Sequence, residues 1–310
     1  MVQAAQIVNE ISKVIVGKDI IIKKVLMVML AKGHILLEDI PGVGKTTLAI
    51  AFAKTMRLQT RRIQFTPDVM PSDVVGFTMY DKGSDSFRYQ QGAVFCHILL
   101  ADEINRASAK AQSALLEVME EGRVSVDGNT YELPDPFIVI ATQNPLGSAG
   151  TQLLPESQLD RFMVRLSIGY PSMEQEAVMM KMRHHHDPLL HINALGDEAS
   201  LHQMMEGAAA TYVSDEMYQY IAALIHATRE HPQIRQGASP RASLALCALG
   251  KSCAYLSGRD YMIPQDIKAV FFDTIAHRLL LKRESHPSYA SLHTIIDSIL
   301  QSVEAPQLRK

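Results

Sequence analysis

The sequence is short of cysteine, of net charge and of uninterrupted apolar runs, and each shortage removes a class of protein. Among 310 residues there are three cysteines, Cys96, Cys247 and Cys253, with no C-x-x-C spacing. So sparse and odd a set excludes a disulfide framework and fits a reducing compartment, so a cytoplasmic protein is expected. The formal net charge is -3, which argues against a protein whose main business is wrapping nucleic acid. The opening MVQAAQIVNEISK lacks a basic-then-apolar signal pattern. The most apolar early run, IIIKKVLMVMLAKGHILL, is interrupted by Lys23, Lys24 and Gly33, and reads as a helix followed by a buried strand, not a membrane span. No low-complexity tract or internal repeat is visible.

What is present is an ordinary soluble composition, 47% hydrophobic and 20% charged, in a chain long enough for two domains. From about Ile20 to Leu166, short apolar runs alternate with helical patterns. HILLED (34–39), RRIQFT (61–66), HILLADE (97–103) and FIVIATQN (137–144) read as strands, and RLSIGYP (165–171) as a last strand leading out. Continuous apolar strands separated by helices predict a parallel sheet covered on both faces. Two hairpins interrupt this pattern, at about 74–92 and 122–134. The first turns at Lys-Gly-Ser-Asp, and the second has Asp127-Gly128 or Asn129 at its tip. After Pro171 the strand signal ends. SDEMYQYIAALIHATREH has Ser214 as a plausible N-cap, and SPRASLALCALGKSCAYLSG starts with Ser239 and Pro240, a cap and a first helical position. The expected organisation is an α/β core over 1–170, a linker over 171–189 and an all-helical domain over 190–310.

The chemistry starts in ILLEDIPGVGKTTLAIAFAK (35–54). The stretch fits G-x-x-x-x-G-K-[ST] except at its first glycine, where Asp39 stands. Gly42 and Gly44 let the backbone turn and aim N–H groups at phosphate oxygens. Lys45 reaches the β and γ phosphates, Thr46 offers a hydroxyl to Mg²⁺, and the helix that follows adds its positive end. The candidate nucleotide site runs from Pro41 through Gly42, Val43, Gly44, Lys45 and Thr46 to Thr47. The competing reading is a glycine-rich strand-to-helix turn with a chance Lys-Thr.

Asp102 and Glu103 fall where the bare strand HILLADE ends, the edge at which open α/β sheets collect ligands. Asp102 fits a water-mediated Mg²⁺ partner, and Glu103 a base that polarises the attacking water. The competing reading makes both acids caps of the next helix. Asn144 ends another strand and can hold that water without adding charge, although an Asn before Pro145 also starts many turns. Arg161 lies in PESQLDRF. Arg241 lies in the first turn of a helix, where a cation opposes the helix dipole. Each is a candidate γ-phosphate ligand, and each could equally make a surface salt bridge. RHHHDP (183–188) does not read as a metal site, because neighbouring helical residues point about 100° apart. The Met pairs at 179–180 and 204–205 read as core.

Taken together, IVGKD, GHILLEDIPGVGKTTLA, RIQFTPDVMPSDVVG, ILLADEINRASAKAQSALLEVMEEGRVSVDG, FIVIATQNP, LPESQLDRF and GASPRA resemble the AAA+ ATPases of the MoxR family. They occur in that family's order over about residues 10–245. The resemblance implies that Lys45 and Thr46 belong to Walker A, and Asp102 and Glu103 to Walker B. Asn144 is then sensor 1, Arg161 the arginine finger acting on a neighbouring subunit's ATP, and Arg241 sensor 2. Val16 and Gly17 fall where such proteins hold adenine, and the hairpins match the helix-2 insert and the pre-sensor-1 hairpin. A finger in trans implies a hexameric ring that hydrolyses ATP to ADP with Mg²⁺. Family members commonly act with von Willebrand factor A domain proteins, so a chaperone-like remodelling ATPase with a separate partner is expected.

The alternatives are a nucleic-acid motor, a magnesium-chelatase-like subunit of the same clade, and a scaffold that binds ATP without using it. Against the first, the hairpin tips KGSDS and VDGNT carry Lys82 against Asp85 and Asp127. EDIPGVGKT also resembles the form this family uses in place of the commoner glycine. Asp39 is accordingly expected to have ordinary φ, with its carboxylate turned away from the phosphates and bonded to nearby backbone.

Overall fold

The computed structural model describes residues 4–40, 42–143, 154–185, 187–282 and 289–307, without the side chains of residues 183, 185 and 289. In chain order the first elements are α1 (Ala4–Ser12), α2 (Asp19–Leu30), β1 (Ile35–Glu38), α3 (Lys45–Thr55), β2 (Thr60–Gln64) and α4 (Pro71–Val75). Then come β3 (Gly76–Asp81), β4 (Ser86–Gln91), β5 (Ile98–Asp102), α5 (Ala109–Glu121), β6 (Arg123–Val126), β7 (Asn129–Glu132) and β8 (Ile138–Gln143). The chain continues through α6 (Glu156–Leu159), β9 (Val164–Leu166), α7 (Met173–His185), α8 (Glu198–Ala209) and α9 (Asp215–Glu230). It ends with β10 (Ile234–Gln236), α10 (Pro240–Leu256), α11 (Pro264–Ile275), β11 (Leu280–Leu281) and α12 (Tyr289–Ser302).

Five strands form a sheet in the order β2-β5-β8-β1-β9. The pairs β2–β5, β5–β8 and β1–β8 are parallel. β5 and β8 are buried along their whole length, as expected of central strands covered on both faces. β2 is an edge strand with Arg61 and Arg62 exposed, and charge on an edge discourages pairing with another chain. The register sets the strand ends side by side: Gln64 opposite Asp102, and Glu38 opposite Gln143. One edge of the sheet thus gathers Glu38, Asp102 and Gln143.

The two hairpins are β3–β4 and β6–β7. In the second, Asp127 (φ 50°) and Gly128 (φ 80°) are both left-handed, the geometry of a type I′ turn that suits strand twist. Tyr89 of β4 stacks on Tyr131 of β7 with ring centroids 4.0 Å apart, so the two insertions pack on each other.

The chain divides into two compact units, one of residues 1–23, 34–154 and 166–201, the other of 24–33, 155–165 and 202–310. This differs from the division read from the sequence. The expected linker 171–189 contains the helix α7 and clusters with the first unit. A helix whose apolar residues alternate with charges gives a weak periodic signal, which is why it passed for a connector.

Among its described residues the second unit is helical apart from the start of β9 and the antiparallel ribbon β10–β11. That ribbon's strands are too short to show alternation in sequence. Ser214 caps α9 by accepting the N–H of Met217. Ser239 takes the N-cap position of α10, but its hydroxyl donates to Asp160 (2.9 Å) instead of capping the helix. Among the described residues no helix is long and apolar enough to cross a membrane.

Candidate nucleotide site

The turn from β1 to α3 is shaped by backbone conformation. Gly42 (φ 88°) and Gly44 (φ 99°) are left-handed, and an added Cβ at Gly42 would meet nothing within 4 Å. Conformation, not lack of space, therefore calls for glycine there. α3 starts at Lys45 directly after Gly44, so its unpaired N–H groups open onto the loop. Lys45 is buried and donates to the main-chain carbonyl of Asp39 at 2.7 Å. Burial holds its pKa down, against the opposing pull of the Asp39, Asp102 and Glu103 charges. Thr46 and Thr47 are half-buried in the first turn of the same helix. Pro41 lies outside the described residues.

The end of β5 is held more tightly than its sequence suggested. Asp102 is buried; one of its oxygens receives the Thr142 hydroxyl (3.2 Å) and the other the Arg62 guanidinium (2.6 Å). Thr142 also accepts the main-chain N–H of Glu103 at 3.0 Å. Glu103 has φ 56°, a left-handed conformation unusual for a residue with a side chain, and such strain collects at functional sites. Its carboxylate pairs with Arg106 at 2.8 Å. The two acids do not cap the following helix: α5 is capped by Ser108, which accepts the Ala111 N–H. Asn144, the expected third member, lies outside the described residues. β8 is seen to Gln143, which donates to Glu38 at 2.9 Å.

Sequence reading missed Arg62 and Thr142. Thr142 had a signal, a polar residue at the end of an otherwise apolar strand. Arg62 had none, because an exposed Arg on an edge strand looks like ordinary surface.

A cavity of about 670 Å³ opens beside the loop. Its lining includes Val14, Ile15 and Val16 from the segment after α1, Gly42, Val43, Gly44 and Thr47 from the loop, and the stretch Ile168–Pro171. That size and mixed lining suit a small organic ligand. Val16 faces the cavity. Gly17 instead makes a left-handed turn (φ 69°), and its carbonyl accepts from Gln175 at 3.4 Å. Met179, Met180 and His184 of α7 also line the cavity. The reading of Met179 and Met180 as core therefore fails, because Met180 is exposed, whereas Met204 and Met205 are buried. Among the described residues no cluster of three or more His, Cys, Asp or Glu could hold a metal ion. A Mg²⁺ that keeps its waters and is carried by phosphates needs no such cage.

Asp39 has the conformation expected of it. Among the described non-glycine residues, positive φ occurs at Lys32, Arg57, Asp85, Glu103 and Asp127. The Asp39 carboxylate accepts the N–H of Ile168 (2.6 Å), the N–H of Gly169 (3.1 Å) and the hydroxyl of Ser167 (2.7 Å).

Arg161 and Arg241 belong to the second unit. Arg161 follows α6. Arg241 is the second residue of α10, with its guanidinium 3.9 Å from Asp160. Asp160 is also bound by Ser239 and by Arg278 (2.7 Å). Arg278 is buried and further donates to the carbonyls of Asp160, Phe162, Met163 and Thr274.

A family model described as "ATPase family associated with various cellular activities (AAA)" matches residues 34–164, and one described as "AAA lid domain" matches 226–299. The chain is 42% identical over 302 residues to the uncharacterized protein YeaC of Bacillus subtilis, covering 97% of this chain and 94% of that one. It is 41% identical over 309 residues to Chaperone MoxR1 of Mycobacterium tuberculosis, covering 96% of this chain and 81% of that one. The crystal structure of an inferred ATPase from Cytophaga hutchinsonii superposes with a TM-score of 0.90 at 37% identity, over 98% of this chain and 94% of that one.

Proposed function

The chain belongs to the MoxR family of AAA+ ATPases, and we propose that it hydrolyses ATP to ADP and phosphate to remodel a partner protein complex. The observation that carries this reading is the convergence on one sheet edge of a buried Lys45 with Asp102 and Glu103, whose charges act on it. A buried ammonium next to open backbone N–H groups suits a polyanion and is costly without one.

In this reading the loop Pro41–Thr47 cradles the phosphates, and Val16, Gly17 and the apolar cavity receive the base. Thr46 and Asp102 would hold Mg²⁺, which would supply positive charge beside the phosphates. Glu103 takes the proton of the attacking water. Its left-handed backbone and the Thr142 bond to its N–H fix where the carboxylate starts, and release from Arg106 frees it to act. Thr142 and Arg62 hold the Asp102 carboxylate in place. Asn144 orients the water. Arg161, supplied to a neighbour's site, and Arg241, within its own subunit, stabilise the charge on the γ-phosphate, so turnover depends on a hexameric ring.

A protein client is favoured over nucleic acid by the β3–β4 hairpin. It exposes Phe77, Met79, Tyr80 and Phe87, the last 76% exposed, where a nucleic-acid motor would place basic residues. A von Willebrand factor A domain protein is the expected partner.

Glu103→Gln tests the whole reading. It keeps the shape and removes the base, so Mg²⁺-dependent hydrolysis should fall by about 10²–10⁴-fold with ATP binding retained. Capture with this variant and ATP should retain a protein partner. Undiminished hydrolysis would remove Glu103 from its role, and recovery of single-stranded DNA instead of protein would reverse the choice of client.

A further inference from the structure

Asp39 is 6% exposed and stands directly after β1, at the position where the commoner phosphate-loop pattern has its first glycine. Its two halves do different things. Its main-chain carbonyl holds Lys45 at 2.7 Å. Its side chain holds a distant stretch of chain: Oδ2 takes the N–H of Ile168, while Oδ1 takes the N–H of Gly169 and the hydroxyl of Ser167. That stretch follows β9 as irregular chain, and with Tyr170 and Pro171 it forms a wall of the 670 Å³ cavity. Gly169 is left-handed (φ 67°), so successive N–H groups can turn toward one carboxylate.

We propose that Asp39 is a positioning residue for the nucleoside half of the bound nucleoside triphosphate. It pins the wall made by residues 168–171 against the base of the phosphate loop, and so sets affinity for base and ribose without touching the phosphates. This rests on reading the cavity as a nucleotide site. Three donors converge on the carboxylate, and an amide cannot replace it. With the Asn oxygen at the Oδ2 position, the NH₂ faces the Gly169 N–H; with it at Oδ1, the NH₂ faces the Ile168 N–H. Either way two donors meet. The hydrogen bond from Lys45 goes to main chain and survives any side-chain change, whereas the Asp39 charge that also acts on Lys45 is lost in D39N and kept in S167A.

The test uses the full chain with Mg²⁺ and compares ATP with inorganic tripolyphosphate, which occupies the phosphate end alone. D39N should raise KM for ATP about tenfold, leave kcat at saturating ATP within about threefold, and leave inhibition by tripolyphosphate within about twofold. D39G, which restores the commoner glycine, should weaken ATP at least as much. Unchanged ATP affinity in D39N, an equal loss for ATP and tripolyphosphate, or tighter ATP binding in D39G overturns the proposal. Should D39N fail to fold, S167A decides. It removes one of the three bonds and should weaken ATP about threefold with tripolyphosphate unchanged, and wild-type ATP affinity there overturns the proposal. A wild-type chain that binds neither ligand defeats the nucleotide reading itself, before any variant is measured.

Discussion

Lys45 in the first unit and Arg278 in the second are both buried cations, and they are held in opposite ways. A guanidinium carries five N–H donors. Those of Arg278 go to the Asp160 carboxylate and to the carbonyls of Asp160, Phe162, Met163 and Thr274. Lys45 is held by a carbonyl of its own loop, with burial pulling its pKa down. A cation whose donors are all engaged fixes structure. One tethered to a single main-chain oxygen can exchange that oxygen for a ligand. The same contrast separates what each anchors: Arg278 fixes the segment Asp160–Met163 that bears Arg161, whereas Lys45 is, in the proposed function, itself a phosphate ligand.

The contrast breaks most visibly at Arg161. Arg161→Ala should reduce turnover by at least about 10³-fold, because a positive group at the γ-phosphate is worth that much, while ATP binding stays largely intact. Steady-state hydrolysis by assembled protein checks this, and normal turnover in a well-assembled variant would remove the finger assignment. Arg278→Met should instead act on folding. It takes the buried guanidinium from the half-buried Asp160 carboxylate, which keeps Ser239, and strands the carbonyls that Arg278 served, at a cost of about 3–5 kcal/mol in urea denaturation. A loss under about 1 kcal/mol would mean those acceptors find water.

His34 adds a buried group kept neutral. Its Nε2–H donates to the Met119 carbonyl (2.9 Å) and its Nδ1 accepts the Val139 N–H (3.0 Å), so both nitrogens are engaged by the neutral ring. Burial pushes its pKa down to about 4. Because the folded pKa lies below the unfolded value, the stabilisation is present above about pH 6.5 and is lost as pH falls toward 4, by on the order of 3 kcal/mol. Denaturation at pH 7 and pH 4.5 measures it, and His34→Gln, which can accept and donate in the same places, should lose that part of the slope.

The smallest expected change is in the stability of Lys45→Met. Removing a desolvated charge should alter unfolding free energy by less than about 1 kcal/mol in either direction, while ATP binding is lost. A large destabilisation would make Lys45 structural, like Arg278.

The central strands were legible because a strand buried on both faces is apolar until its end, as in ILLAD and IVIATQ. The phosphate loop was legible because Gly42 and Gly44 report a conformation that few other residues adopt. The Asp127-Gly128 tip was legible for the same reason, and Ser214 because a cap and its helix are neighbours. α7, the ribbon β10–β11 and the Thr142 and Arg62 contacts to Asp102 were not. The first two carry too little periodicity. The contacts to Asp102 join residues 40 positions apart, and nothing local at Arg62 marks its partner.

Asp39 shows both halves of this. The sequence by itself determined that the residue was anomalous for a phosphate-loop pattern, and the ordinary φ expected of it is what the structure has. Its partners, Ser167, Ile168 and Gly169, lie 128 to 130 residues away. Only the tertiary structure decided that two of them, Ile168 and Gly169, would line the cavity. Local motifs constrain φ, caps and strand faces through neighbours along the chain. The satisfaction of a buried charge depends on which distant donors the fold delivers, and those are delivered by sheet order.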